Sequence, residues 1–176
     1  SANNDANEKG EIKIIGGDSD GAYYGLMTLT QMLEQKTEDN KIAETVISDY
    51  PSVKLRGFVE GFYGYPWSFE DRLSLMSESS DFKMNTYIYA PKDDPYHKDQ
   101  WRELYPDDKA EELRQLAAEG KKDNMSFCWS VHPGNGFNYS TDDDYNALIN
   151  KFEQLYSLGV RQFGISYDDL GGYVNG

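Results

Sequence analysis

The sequence predicts an α/β fold: the C-terminal end of a small α/β domain over residues 1–51, then the first half, about four βα units, of a truncated (β/α)8 TIM barrel over residues 52–176. Three observations carry this. After Ser52, short apolar runs alternate with helical stretches, and such alternation implies parallel strands joined by crossovers. The runs start roughly 30 to 40 residues apart, the size of one βα unit. Finally, Glu60-Gly-Phe-Tyr-Gly64 lacks the G-x-G-x-x-G spacing of a dinucleotide-binding sheet, which favours the barrel over a doubly wound fold. A complete barrel needs about 250 residues, and the chain from Ser52 supplies about half of that.

Each element has its own local signal. Residues 11–15 alternate like a half-buried strand, and Gly16-Gly17 ends it. Asp18 and Asp20 supply helix-start chemistry for 22–35, where Tyr23, Leu26, Met27 and Thr30 recur at helical spacing. A polar turn follows, then a second strand over 41–48, and Tyr50-Pro51 marks the boundary. The first barrel run is 56–62. Ser68 then caps a helix over 69–83, with Asp71 in a box-like position. The second run is 85–90, followed by a helix over 107–122 with Leu113, Leu116 and Ala117 on one face. The third run is 125–131. A helix over 143–158 carries Leu148, Phe152 and Leu155 on one face and ends at Gly159, and the last run is 160–166.

Composition narrows the function classes. The 176 residues carry 31 acidic against 17 basic side chains, a formal charge of −14, which argues against a nucleic-acid partner. No run approaches the roughly 18 apolar residues of a membrane span. Cys128 is a single cysteine, so neither an internal disulfide nor a multi-cysteine metal site is available, and it reads as a small buried hydrophobe. The polar lead from Ser1 has no signal-peptide core, and no helix follows the fourth run; the chain reads as an internal piece of a longer protein.

Barrel chemistry sits in the loops after the strands. Those loops carry Glu60-Gly-Phe-Tyr-Gly-Tyr-Pro-Trp67, Ala90-Pro-Lys-Asp-Asp-Pro-Tyr-His97, His132-Pro-Gly134 and Tyr167-Asp168-Asp169. Two adjacent carboxylates converge only where a strand is ending, and there one is driven toward its acid form while the other stays ionised. Such a pair suits general acid catalysis beside a developing cation. A polar loop with a helix N-cap is the plain alternative. His97 and His132 have no partner at ligand spacing and read as structural or rim residues. Asp142-Asp143-Asp144 lacks an EF-hand pattern and reads as a helix N-terminus. Trp67, Trp101 and Trp129 read as core and rim packing.

Taken in order, Arg56-Gly-Phe-Val-Glu-Gly-Phe-Tyr-Gly64 with Pro66-Trp67, Asn85-Thr-Tyr-Ile-Tyr-Ala-Pro-Lys-Asp-Asp-Pro-Tyr-His97 and Tyr167-Asp-Asp169 closely resemble the family-84 glycoside hydrolases. These are β-N-acetylglucosaminidases, among them O-GlcNAcases and enzymes first named hyaluronidases. The resemblance spans about 50–169, and the segment before it resembles the end of the small domain that precedes the barrel in bacterial members. It implies substrate-assisted retention through an oxazoline, an exception to the two-carboxylate nucleophile scheme. By the same resemblance Asp168 orients the sugar's acetamido group, Asp169 is the acid and then the base, and Lys92, Gly61 and Tyr63 bind the sugar. It implies no cofactor or metal, an N-acetylglucosamine-bearing glycan or glycoprotein as partner, and a secreted or cell-surface protein. The remaining pocket groups of the family come from later strands, so the 176-residue piece itself is expected to be inactive. A non-catalytic carbohydrate-binding module on a degenerate barrel and a metal-dependent hydrolase built on clustered aspartates are the competing readings; scarce histidine weakens the second.

Overall fold

The computed structural model describes residues 10–35 and 42–167. The chain divides into two compact units, Ser1–Ser52 and Val53–Gly176.

In the first unit, helix α1 spans Ser19–Glu34, and the Asp18 carboxylate caps it by accepting from the Gly21 N–H at 2.7 Å. The preceding segment lies against the helix. A Cβ at Gly25 would sit 2.6 Å from Ile14 Cγ2, so glycine is what admits the isoleucine. The two expected strands, 11–15 and 41–48, are not formed among the described residues: 11–15 and 42–48 belong to no ladder. Alternating apolar residues mark a face, whereas a strand also needs a hydrogen-bonded partner, and the described residues of this unit offer none. Ile12, Ile15 and Val46 are accordingly 64%, 79% and 96% exposed.

The second unit is a parallel sheet with its strands in chain order. Strands β1 (Gly57–Glu60), β2 (Thr86–Tyr89), β3 (Ser126–Val131) and β4 (Gln162–Ile165) pair successively, aligning Glu60 with Tyr89, Tyr89 with Trp129, and Val131 with Ile165. Order 1-2-3-4 has no reversal point, which is how barrel strands run and doubly wound sheets do not. Helices α2 (Phe69–Asp81), α3 (Asp107–Lys122) and α4 (Asp143–Ser157) fill the crossovers.

Local chemistry sets the helix ends. Ser68 and Asp71 form a complete capping box, each side chain accepting from the other's backbone N–H, at 3.0 and 3.3 Å. Helix α2 stops two residues before its expected end because Lys83 turns left-handed at φ 62°. Gly159, at φ +106°, terminates α4 in the conformation that favours glycine.

The core lies between the helices and one face of the sheet. Tyr87, Trp129, Val131, Met76, Leu116 and Leu155 are fully or almost fully buried there, each large apolar side chain contributing about 1.5–3 kcal/mol. On the opposite face alternation places smaller residues: Gly57, Val59, Cys128, Ser130 and Gly164. Cys128 is a buried free thiol.

Strand contact is closest at Gly57, where a Cβ would fall 1.7 Å from the Thr86 carbonyl oxygen. Gly57→Ala therefore forces β1 off β2 and is expected to cost about 3 kcal/mol. Gly136→Ala, with open space around it, should stay within about 0.5 kcal/mol of the parent in urea denaturation.

Candidate active site

All four strands deliver their loops to one end of the sheet. The Ala90 N–H donates to the Glu60 carbonyl at 3.0 Å, prolonging the β1–β2 contact past the strands. The Lys92 N–H then donates to the Phe62 carbonyl at 3.4 Å. Lys92 is thus held beside the loop bearing Gly61 and Tyr63. The ammonium of Lys98 donates to the Tyr63 hydroxyl at 3.3 Å and lies 5.2 Å from the ring centre, a second bridge between the same loops. Three of the five expected site residues are therefore neighbours. Asp168 and Asp169 lie outside the described residues. The described chain reaches Tyr167, and Ser166, held by its N–H to the Val131 carbonyl at 2.7 Å, carries β4 to this same end.

Gly61 is exposed, and a Cβ there would make only ordinary contact, 3.4 Å from Val59 Cγ1. Neither crowding nor a left-handed backbone demands glycine at this position. What glycine supplies here is an uncovered peptide that a ligand can approach closely. Tyr63 is 64% exposed, and Lys92 is half-buried.

Beneath these loops lies machinery that the sequence analysis did not single out. Glu60 ends β1 and is wholly buried on the helix side. Four donors surround its carboxylate: Arg72 Nε at 2.9 Å, Arg72 Nη2 at 2.8 Å, the Trp67 N–H at 3.3 Å, and the Tyr87 hydroxyl. Burying a carboxylate is costly unless it is paired and fully hydrogen-bonded, and this one is both. Burial is the largest influence and works against the Arg72 charge, but the hydrogen bond with Glu60 and the electrostatic pull of Tyr89, Glu60 and Tyr87 together outweigh it and hold the guanidinium above its usual range. Burial and then the Glu60 charge push the Tyr87 phenol upward, so it remains a donor.

A second node organises the β2–α3 loop. Asp94 accepts from the hydroxyls of Tyr89 at 2.9 Å and Tyr105 at 2.6 Å, and from the Tyr96 N–H at 2.8 Å. Trp129 Nε1 donates onward to the Tyr105 hydroxyl at 2.9 Å. Both phenols are raised by burial first and by the Asp94 charge second. Lys151, on α4, is fully buried below this loop, and burial lowers its ammonium from 10.5 to about 8. Its position between Leu148 and Leu155 on the apolar face of α4 was the one sequence signal for it. For Glu60 the signal was a charge sharing a strand face with Phe58.

The histidines serve the framework. His97 is fully buried with Nδ1 against the Ser130 carbonyl; its own carbonyl accepts from the His132 N–H at 2.8 Å, and His132 Nδ1 lies 3.1 Å from the Ser166 carbonyl. Burial lowers the His97 value, keeping the ring neutral. The 142–144 triplet does more than mark a helix start. Asp144 is buried and paired with Arg102, whose Nη2 lies at 2.7 Å, and it accepts from the Asn138 N–H at 2.7 Å, joining the loops after β2 and β3. Among the described residues, no three His, Cys, Asp or Glu side chains gather as a metal would require. Nor is any helix there long and apolar enough to cross a membrane. A cavity of about 230 Å³ opens between α2, α3 and the β2–α3 loop, walled by Arg72, Tyr89, Asp94 and Tyr105; Gly61, Tyr63 and Lys92 are not among its lining.

Comparison with known proteins follows the same division of the chain. Residues 56–175 match the family model described as NAGidase, beta-N-acetylglucosaminidase, and residues 5–50 match that of glycosyl hydrolase family 20, domain 2. Over 116 residues the chain is 37% identical to Protein O-GlcNAcase of Rattus norvegicus and to that of Mus musculus, a stretch covering 66% of this chain and 13% of each relative. Among solved structures, CpGH84B superposes with a TM-score of 0.82 at 41% identity, over 89% of this chain and 28% of that one. CpGH84D gives 0.77 at 45% identity, over 84% and 26%. A variant of the Thermobaculum terrenum O-GlcNAc hydrolase gives 0.65 at 33%, over 66% and 25%. This chain thus spans about an eighth of the mammalian relatives and about a quarter of the solved structures.

Two outcomes test the buried charges. Arg72→Met strands the Glu60 carboxylate and should cost about 3–5 kcal/mol, whereas the double variant with Glu60→Leu should recover most of that loss in urea denaturation. Lys151 has a folded value below its ordinary one, so its burial penalty is full below about pH 8 and is relieved between 8 and 10.5. Asp94 and Glu103 face it as charges, and Tyr96, Tyr105 and Trp129 face it as rings. Relative to Lys151→Met, the parent should gain about 3 kcal/mol of stability across that window; a flat difference would contradict the assignment.

Proposed function

This chain belongs to the β-N-acetylglucosaminidase family, and from that membership we propose that it forms part of a retaining glycoside hydrolase of family 84 that removes β-linked N-acetylglucosamine. In this reading residues 1–51 end a small α/β domain, and residues 52–176 supply the first half of the catalytic barrel. The observation that carries it is the convergence of Gly61, Tyr63 and Lys92 at the strand end to which β4 brings the chain just before Asp168-Asp169.

The chemistry runs in two steps. The carbonyl oxygen of the substrate's acetamido group attacks the anomeric carbon, the glycosidic C–O bond breaks, and Asp169 gives its proton to the leaving oxygen. Asp168, ionised, accepts from the acetamido N–H and stabilises the positive charge that grows on that group. Asp169 then takes a proton from water, the water oxygen bonds to the anomeric carbon, and the oxazoline C–O bond breaks. Configuration is retained, and Asp169 is again an acid. The nucleophile belongs to the substrate, so no carboxylate is needed on the opposite sugar face and two acids can sit side by side. Lys92 is a point-charge donor to a sugar hydroxyl, the Gly61 peptide approaches another, and Tyr63 walls the pocket.

The same reading places the parent protein outside, or on the surface of, a bacterial cell, with glycoproteins, glycans or a hyaluronan-like polymer as sources of substrate. Support for it is the resemblance to bacterial members noted above.

Fluorogenic β-N-acetylglucosaminide turnover by the full-length protein tests the proposal. Asp169→Asn should lower kcat by about 10²–10⁴, and Lys92→Ala should act mainly through KM. A chelator should leave the rate unchanged, and the 176-residue chain by itself should show no turnover. Full activity in Asp169→Asn would overturn the acid assignment. Sugar binding without turnover in a folded full-length protein would favour a carbohydrate-binding module.

A further inference from the structure

Lys151 is a charge that the proposed chemistry does not use. It is wholly buried, and among the described residues no carboxylate lies within ion-pairing distance. Its ammonium donates to the Tyr96 carbonyl at 3.2 Å and sits among three rings, 4.3 Å from the centre of Tyr105, 5.2 Å from Tyr96 and 5.8 Å from Trp129. An apolar side chain would fill this space at less cost than a cation does. What the cation adds is a grip on one loop. Ring faces and a carbonyl oxygen are both electron-rich, and all but Trp129 belong to the β2–α3 connection.

Other ties reach that loop, from His132 N–H to the His97 carbonyl, from Arg102 to Asp144 and from Gln154 of α4 to the Tyr105 backbone, but none of these bonds meets residue 96. Asp94 N–H donates to the Pro91 carbonyl at 3.0 Å, His97 N–H to the Asp94 carbonyl at 3.2 Å, and Lys98 N–H to the Pro95 carbonyl at 3.2 Å, so the segment is a set of tight turns rather than a strand or helix. One end carries Lys92, and the other carries Lys98, which holds the Tyr63 hydroxyl. Residue 96, the point that Lys151 grips, lies between them.

We propose that Lys151 is a positioning residue, a buried cation on α4 that pins the β2–α3 loop through Tyr96 and Tyr105 and thereby sets Lys92 and Tyr63 for the sugar. Its kinetic consequence rests on the hydrolase reading above, whereas its effect on the loop does not. Lys151→Met keeps the length and apolar bulk of the side chain and removes the charge, so a merely space-filling role would be preserved or improved by it.

The test compares the full-length parent with Lys151→Met and, as a control for charge alone, Lys121→Met on the exposed side of α3. Three quantities are read: amide hydrogen exchange, Tm, and kcat and KM on the fluorogenic β-N-acetylglucosaminide. For Lys151→Met the expected result is exchange at Tyr96, His97 and Lys98 at least tenfold faster, unchanged exchange in β3, a Tm no lower than the parent's, and a KM at least fivefold higher with kcat within twofold. Unchanged exchange in the loop would overturn the proposal, as would faster exchange throughout the sheet with a lowered Tm. Faster loop exchange with KM unaltered would overturn the link to the sugar. A folded parent with no turnover would sink the hydrolase reading, and the exchange data would then decide the pinning of the loop by themselves.

Discussion

The second unit depends on the carboxylate of Glu60. It sits at the end of β1 with no exposure to solvent, where an unpaired charge would be prohibitive. Its four donors come from three places: Arg72 on α2, Tyr87 on β2, and the backbone of Trp67 at the entry to α2. Satisfying one charge therefore determines how the first crossover leaves the sheet and where the next strand lies. Trp67 is placed by the same bond, and its ring packs edge-on against Phe58 and Phe62. Phe62 in turn offers the carbonyl that receives Lys92. Two hydrogen bonds and one ring contact link the buried ion pair to Lys92, and Gly61 follows Glu60 directly in the chain.

The two faces of the sheet have different tasks. Toward the helices, Tyr87, Tyr89 and Phe127 form a layer of rings in edge-on and tilted contact; the two hydroxyls donate to Glu60 and Asp94, and Trp129 beside them donates its Nε1–H to the Tyr105 hydroxyl. The opposite face carries small residues, among them Gly57, Ser130 and Gly164, and a Cβ on Gly164 would crowd Ser130 Oγ at 3.0 Å. A packed aromatic layer beneath the connections is a sound base for a site carried on loops. The loops are tied laterally as well, by Arg102 with Asp144 and by the backbone bonds around His97 and His132.

Much of the architecture was legible because its causes are local. Helix α3 begins and ends where its apolar spacing and terminal charges place it, the capping box of α2 forms as Ser68 and Asp71 imply, and Gly159 stops α4. The failures are equally physical. Residues 11–15 and 42–48 have the composition of strands but no ladder partner among the described residues, and α2 ends early because Lys83 adopts a conformation that its periodicity does not encode. Gly61, Tyr63 and Lys92 were reached through their motifs, and the structure supplies the contacts between their loops. Asp144 read as helix-end chemistry because its partner, Arg102, lies 42 residues away.

The sequence by itself determined the order and type of the elements in the second unit, its acidic character, and the loops in which polar chemistry accumulates. Those properties follow from side-chain periodicity, capping and turn preferences over a few neighbouring residues. Tertiary structure decided which charges are buried and what compensates them. Glu60 meets Arg72 across 12 residues and Tyr87 across 27, and Lys151 meets Tyr96 across 55. The burial that makes a carboxylate demand a guanidinium, or lowers an ammonium to about 8, exists only after distant segments have packed and expelled water.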